Sequence, residues 1–192
     1  MDISFELIFV SLIDGLLLGF VYGIAAMGMT LIWGVMDVIN LSHGPIIALG
    51  MFGVYLAFNS FGWNPYLIIV IVALAGLLLG MLIYGIAVHR VINAPHLSRL
   101  LATFSINLII IGIGTAAFST APRNVDFTLG NFSIGPITLL WTRVIAALLA
   151  ILATGSLYFF LYKTRPGRYV RAVANNRKAA ELVGVPSTKI LA

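Results

Sequence analysis

Few side chains in this sequence are equipped for chemistry, and they fall in three stretches. The first is a single acid, Asp14, set among Leu, Ile and Gly residues. An ionised carboxylate at the centre of a membrane helix costs about 2.5–3.5 kcal/mol on insertion scales, so it should face protein or water. Asp14 therefore reads either as a substrate or coupling group, or as a residue close to a helix end. The second reading is open because Asp14 lies only about 10 Å from Leu7 at a helical rise of about 1.5 Å per residue. A proton relay is the poorer fit, because no second acid lies well inside an apolar run. The second stretch, Asp37-Val-Ile-Asn-Leu-Ser-His-Gly-Pro, sets Asn40, Ser42 and His43 between two apolar runs. Non-helical backbone at membrane depth is tolerated only where it is buried or lines a cavity. Asn40, Ser42 and His43 are therefore candidate pathway or gate residues, and a tight cytoplasmic turn is the plainer alternative. Metal binding at His43 is not expected, since no other His, Cys or carboxylate stands at ligand spacing.

The third stretch runs from Lys163 to Pro186. Gly167 onward reads as a short amphipathic helix, with Tyr169, Val170 and Val173 apolar and Arg168 and Arg171 polar. Asn175-Asn176 break it and offer a cap for a second short helix, Arg177–Val183, which Gly184 and Pro186 end in the expected order. A stretch held only to anionic lipid needs charge, at about 1 kcal/mol per basic residue, and not a helix–cap–helix–Gly–Pro plan. The plan suits a protein docking element.

The elements that must position these residues follow from composition. Hydrophobic residues make up 61% of the 192 and charged residues 9%, with a mean hydropathy of +1.09; a soluble domain is nearer 25% charged. The surface must face lipid. Apolar stretches of about 20 residues lack the period-two alternation of a barrel, so the predicted fold class is all-α, a polytopic transmembrane helix bundle. The first stretch does not read as a cleavable signal peptide, because Asp2 and Glu6 precede it and it is too long. The absence of Cys excludes disulfides and thiol chemistry. No Gly-rich phosphate cradle is present, so ATP hydrolysis is not expected of this chain, and neither is any cofactor.

Five candidate crossings are predicted: about Leu7–Val35, Pro45–Phe58, Tyr66–Val88, Leu97–Phe118 and Ile137–Tyr162. The short second one reads either as a crossing or as a re-entrant segment that would put the N-terminus in the cytoplasm. The loop Ser119–Pro136 is suited to a short hairpin. The net charge of +5 is not spread as a nucleic-acid-binding stripe; seven of eleven Lys and Arg residues lie between Lys163 and Lys189. The positive-inside rule places that segment in the cytoplasm, together with the His89–Arg99 loop, and leaves only Arg123 and Arg143 outside or near the outer interface. The predicted organisation is a transmembrane domain over 1–162 and a cytoplasmic segment over 163–192. Gly15, Gly19 and Gly23 recur every fourth residue, a small face suited to close helix packing.

Three stretches carry a family resemblance. The run Gly15 to Met36, the junction Val38-Ile-Asn-Leu-Ser-His-Gly and the segment Thr164 to Gly184 resemble the permeases of branched-chain amino acid ATP-binding-cassette importers, a family that also serves urea and short amides. The last segment is also similar to the importer signature Glu-Ala-Ala, three residues, Gly. Ala179, Ala180 and Gly184 occupy its places, while Lys178 stands where the Glu would be and Glu181 follows three residues later.

The resemblance implies a permease subunit that is not itself an enzyme, in the inner membrane of a prokaryote. Its partners would be cytoplasmic ATPase subunits, a second permease subunit and a periplasmic or extracellular solute-binding protein. It implies that Gly167, Arg168, Arg171, Ala172, Arg177, Ala179, Ala180, Glu181 and Gly184 form the coupling segment that docks on the ATPase. It also implies further spans beyond Ala192, so the expectation is the N-terminal two thirds of such a permease. The rival readings are a urea, amide or sugar permease, an ion-coupled secondary transporter, and a structural membrane subunit. A secondary transporter predicts paired buried ionisable groups or broken helices near the midplane. A structural subunit leaves the docking segment unexplained.

Overall fold

The computed structural model describes residues 5–134 and 137–191. Asp2, Pro136 and Ala192, used in the sequence reading, lie outside the described residues. Among the described residues five helices are long and apolar enough to cross a membrane, and the chain is an all-α polytopic membrane protein. They are α1 (Phe5–Met36), α2 (His43–Phe61), α3 (Pro65–Ile83, continued by a π-turn, Tyr84–Val88, and α4, His89–Val91), α5 (His96–Phe118) and α6 (Trp141–Lys163). The short helices α7 (Arg165–Asn175), α8 (Arg177–Leu182) and α9 (Ser187–Leu191) follow. A hairpin is present, but across the end of the expected loop Ser119–Pro136 rather than within it: β1 (Asn131–Ile134) pairs antiparallel with β2 (Ile137–Leu140), Asn131 opposite Leu140.

The expected spans need small corrections at their ends. α2 begins at His43, two residues before Pro45, because a proline in the first turn gives up an N–H that has no helical acceptor there. The last span begins at Trp141 rather than Ile137, since Ile137–Leu140 are drawn into the hairpin.

The chain forms two compact units. One comprises the start of α1 as far as Leu31 together with Phe127–Val185. In it the hairpin leads into α6: Trp141 donates its N–H to the Gly130 carbonyl at 3.3 Å, and its ring packs on Phe132 at 4.5 Å. Beyond α6 the chain turns sharply into α7, and α8 follows.

The other unit comprises Ile32–Asp126 and Pro186–Ala192. Here α1 stops because Asp37 adopts a left-handed conformation at φ 53°, a state an Asp tolerates better than most residues. α2 ends at Gly62, also left-handed, whose N–H returns to the Phe58 carbonyl. Asn64 caps α3 by accepting from the Tyr66 N–H. α2 lays Gly50 and Gly53 against Val72 of α3, where an added Cβ would stand 3.5 and 3.4 Å from the valine methyls. At its other side α2 stacks Phe52 on Phe118 of α5, with ring centroids 4.3 Å apart. Arg123 sits over the Tyr55 ring and donates to the Phe118 carbonyl, a cation placed at a helix C-terminus.

Candidate functional site

The junction between α1 and α2 is tied to α5. Asn40 accepts from the Ser42 N–H at 3.1 Å and from the Ser42 hydroxyl at 2.6 Å, closing a turn in which Ser42 is fully buried. Thr103 of α5, 1% exposed, donates to the Ile39 carbonyl at 2.9 Å. Arg99 grips Asp37 twice, through the backbone carbonyl at 2.7 Å and the carboxylate at 3.1 Å. The Asn40 Oδ1 and the Ser42 hydroxyl are therefore used in shaping this turn, and His43 opens α2 directly after it. The sequence reading did not single out Arg99 or Thr103. A Thr one helical turn beyond the basic residue at the head of an apolar helix is the only signal that pointed to them.

Asp14 lies on α1 and forms an ion pair with Arg143, near the start of α6. Both side chains are about one third exposed, at 34% and 37%. Arg143 entered the sequence reading only as an outward basic residue, and its role as partner to Asp14 needs two distant segments brought together. Gly15, Gly19 and Gly23 follow on α1. An added Cβ at any of them would meet nothing within 4 Å among the described residues.

The corner between α6 and α7 is built with little slack. Thr164 caps α7 by accepting from the Gly167 N–H at 3.1 Å and donates its hydroxyl to the Phe160 carbonyl at 2.6 Å. Pro166 occupies the first turn of α7, where its missing N–H costs nothing. A Cβ on Gly167 would lie 2.1 Å from the Phe160 carbonyl oxygen and 2.6 Å from the Leu161 Cα, so only glycine fits. α7 thus starts at Arg165 rather than at Gly167, and Gly167 serves the corner. Arg171 lies over the Tyr162 ring at 4.5 Å, a cation–π contact that holds α7 to the end of α6. Arg168 is exposed and Ala172 is half-buried on the same helix.

α8 is closed at both ends. Asn176 accepts from the Ala179 N–H at 3.0 Å, and Arg177 pairs with Glu181 one turn on at 3.1 Å. At the far end Gly184, at φ 83°, donates to the Glu181 carbonyl while Val185 donates to the Ala180 carbonyl, the paired bonds of a Schellman motif. Ala180 is buried and Ala179 exposed. The motif leaves Leu182 and Val183 projecting, 89% and 79% exposed. Among the described residues no three His, Cys, Asp or Glu side chains gather as a metal site.

Residues 11–192 match the family described as branched-chain amino acid transport system, permease component. The chain belongs to that family. Among the curated relatives of this permease chain is the high-affinity branched-chain amino acid transport system permease protein BraD of Pseudomonas aeruginosa. The two are 22% identical over 94% of this chain and 64% of that protein. The permease protein LivH of the corresponding system in Escherichia coli K12 is 28% identical over 93% of this chain and 63% of its own length. The fructose import permease protein FruG of Bifidobacterium longum is 28% identical over 77% of this chain and 44% of its own length. The chain spans less than two thirds of each. No solved structure matches it.

Proposed function

We propose that this chain belongs to the permease subunit of an ATP-driven importer of branched-chain amino acids in the inner membrane of a prokaryote, with α7 and α8 as the element that docks on its cytoplasmic ATPase. The observation that carries this reading is the α7–α8 element itself. It is too polar to cross the membrane, capped at each helix start, fastened to the end of α6, and yet leaves Leu182 and Val183 in the open. Exposed apolar residues on a rigid, charged helix pair are what a protein groove can accept. Gly167 and Arg171 then set where the element stands, while Arg168, Arg177 and Glu181 flank the contact. Substrate affinity would reside largely in an external binding protein, and a second permease subunit would complete the pathway. Asn40, Ser42 and His43 contribute to that pathway by fixing the turn that joins α1 to α2.

The names of BraD and LivH favour an amino acid as substrate, and that of FruG keeps a sugar as the comparison. The test is uptake of radiolabelled leucine, valine, fructose and urea by cells expressing the whole permease with its ATPases and binding protein, with an ATPase-dead control. Leucine and valine uptake that stops in the control is expected. Fructose or urea uptake in their place would overturn the substrate, and uptake indifferent to the ATPase would overturn the importer reading.

A further inference from the structure

The Asp14–Arg143 pair asks for more than a staple between helices. Both side chains sit within membrane-spanning helices and keep about a third of their surface outside the fold of this chain. Arg143 is the third residue of α6, at the end expected near the outer interface, so the open side of the pair faces surface water, a hydrated path or another protein surface rather than lipid. The pair is also unsaturated. Arg143 has five N–H donors in a planar fork and Asp14 can accept at two oxygens, and among the described residues each has only the other as a partner. At about one third exposure this remaining hydrogen-bonding capacity is open to water or to a ligand. Beside Asp14, the Gly15 position leaves open space where a side chain would otherwise stand.

Two opposite charges with spare capacity on each match a ligand that carries both charges itself. We propose that Asp14 and Arg143 form a recognition point for a zwitterionic α-amino acid, Arg143 taking its carboxylate and Asp14 its ammonium group. Arg is the residue suited to the first task, because its fork meets a carboxylate at two points. In the absence of solute the two side chains neutralise each other, and an arriving zwitterion exchanges one ion pair for two. A neutral solute has no such exchange to make. A sugar or urea would have to separate the pair without replacing either charge, so the arrangement discriminates by charge and leaves the aliphatic side chain to be sensed elsewhere. This inference rests on the importer reading above and specifies the substrate class at one point of its pathway.

The experiment compares three solutes on the assembled, full-length permease–ATPase complex in lipid nanodiscs. These are radiolabelled leucine, leucinamide, which lacks the carboxylate, and isocaproate, which lacks the ammonium group. Wild type is expected to prefer leucine to both. Arg143→Gln should erase the preference over leucinamide, and Asp14→Asn the preference over isocaproate, each by about tenfold or more, because a group built to bind one charge gains nothing from an analogue that lacks it. A purely structural pair would weaken all three solutes alike, and that result, or no change at all, overturns the proposal. The exchanged double variant, Asp14→Arg with Arg143→Asp, keeps an ion pair and so guards against simple misfolding. Full recovery of leucine preference in it would favour the staple, since the bound solute would have to reverse and misplace its side chain. A wild-type complex that binds fructose and none of the three solutes overturns the amino-acid reading itself; the variant results concern the pair alone.

Discussion

Replacing Gly167 with Ala should damage the link between α6 and α7 far more than the size of a methyl group suggests. The new Cβ would stand 2.1 Å from the Phe160 carbonyl oxygen, and ordinary contact begins at 3.4 Å, so about 1.3 Å must be found. The obstructing atoms are all backbone of the preceding helix, which leaves no side chain to swing aside. Overpacking of this kind costs about 1–3 kcal/mol. If α7 unwinds its first turn to escape, it also loses the Thr164 cap, about 1 kcal/mol more. The total of about 2–4 kcal/mol corresponds to a factor of about 30 to 800 in the population of the native corner. α7 is 11 residues long, about 16 Å, so a pivot at its base displaces α8 by more than the original clash. The assay is paired: membrane insertion of the variant, then leucine uptake and ATP turnover by the assembled complex. Insertion should persist, uptake should fall by at least an order of magnitude, and ATP turnover should fall less than uptake. Gly155→Ala in α6 is the matched control, because a Cβ there meets nothing within 4 Å among the described residues. Undiminished uptake in Gly167→Ala, with a melting temperature equal to that of the control, would refute the reasoning.

Other consequences can be checked alongside. Thr103→Val keeps the shape of a buried side chain but strands the Ile39 carbonyl, at a cost of about 1–3 kcal/mol, to be read as a lowered melting temperature in detergent. Leu182→Asp changes a residue that is 89% exposed, so stability should move by no more than about 0.5 kcal/mol, while co-purification with the ATPase should collapse. Gly184→Ala forces a left-handed residue at φ 83° and should cost about 1–2 kcal/mol locally, read as an affinity for the ATPase lower by about five- to thirtyfold. Arg171→Gln removes the cation over Tyr162, about 0.5–2 kcal/mol, and should loosen α7 as measured by hydrogen exchange of its amides.

The α7–α8 segment shows how much of a local structure can be read from order of residues alone. Asn176 caps α8, Gly184 ends it in the left-handed state, and both are where turn chemistry required them. Thr164 is legible in principle, since a Thr followed two residues later by Pro is a helix start signal, whereas the apolar–polar spacing by itself starts the helix at Gly167. Gly167 then carried a different meaning. A glycine within a helix signals close approach or nothing at all, and only the position of the preceding helix distinguishes the two. Ser42 and Asn40 were legible as a polar break in the membrane, yet not as partners of each other, because a hydroxyl beside an amide is equally able to face a pathway.

By itself, the sequence determined the class of this protein. The length of its apolar runs, the scarcity of charge and the placing of Lys and Arg leave no alternative to membrane-spanning helices, because each backbone polar group must be satisfied inside lipid and each charge must find water. Capping and termination were fixed in the same local way, by residues within five positions of one another. What tertiary structure decided are the contacts between residues far apart in the chain. Asp14 with Arg143, Asp37 with Arg99, and Ile39 with Thr103 are each separated by more than 60 residues. Periodicity carries no information about which helices become neighbours, since apolar side chains pack on one another with little discrimination. The sparse polar groups select the pairing, and their choice becomes visible only when the helices are placed.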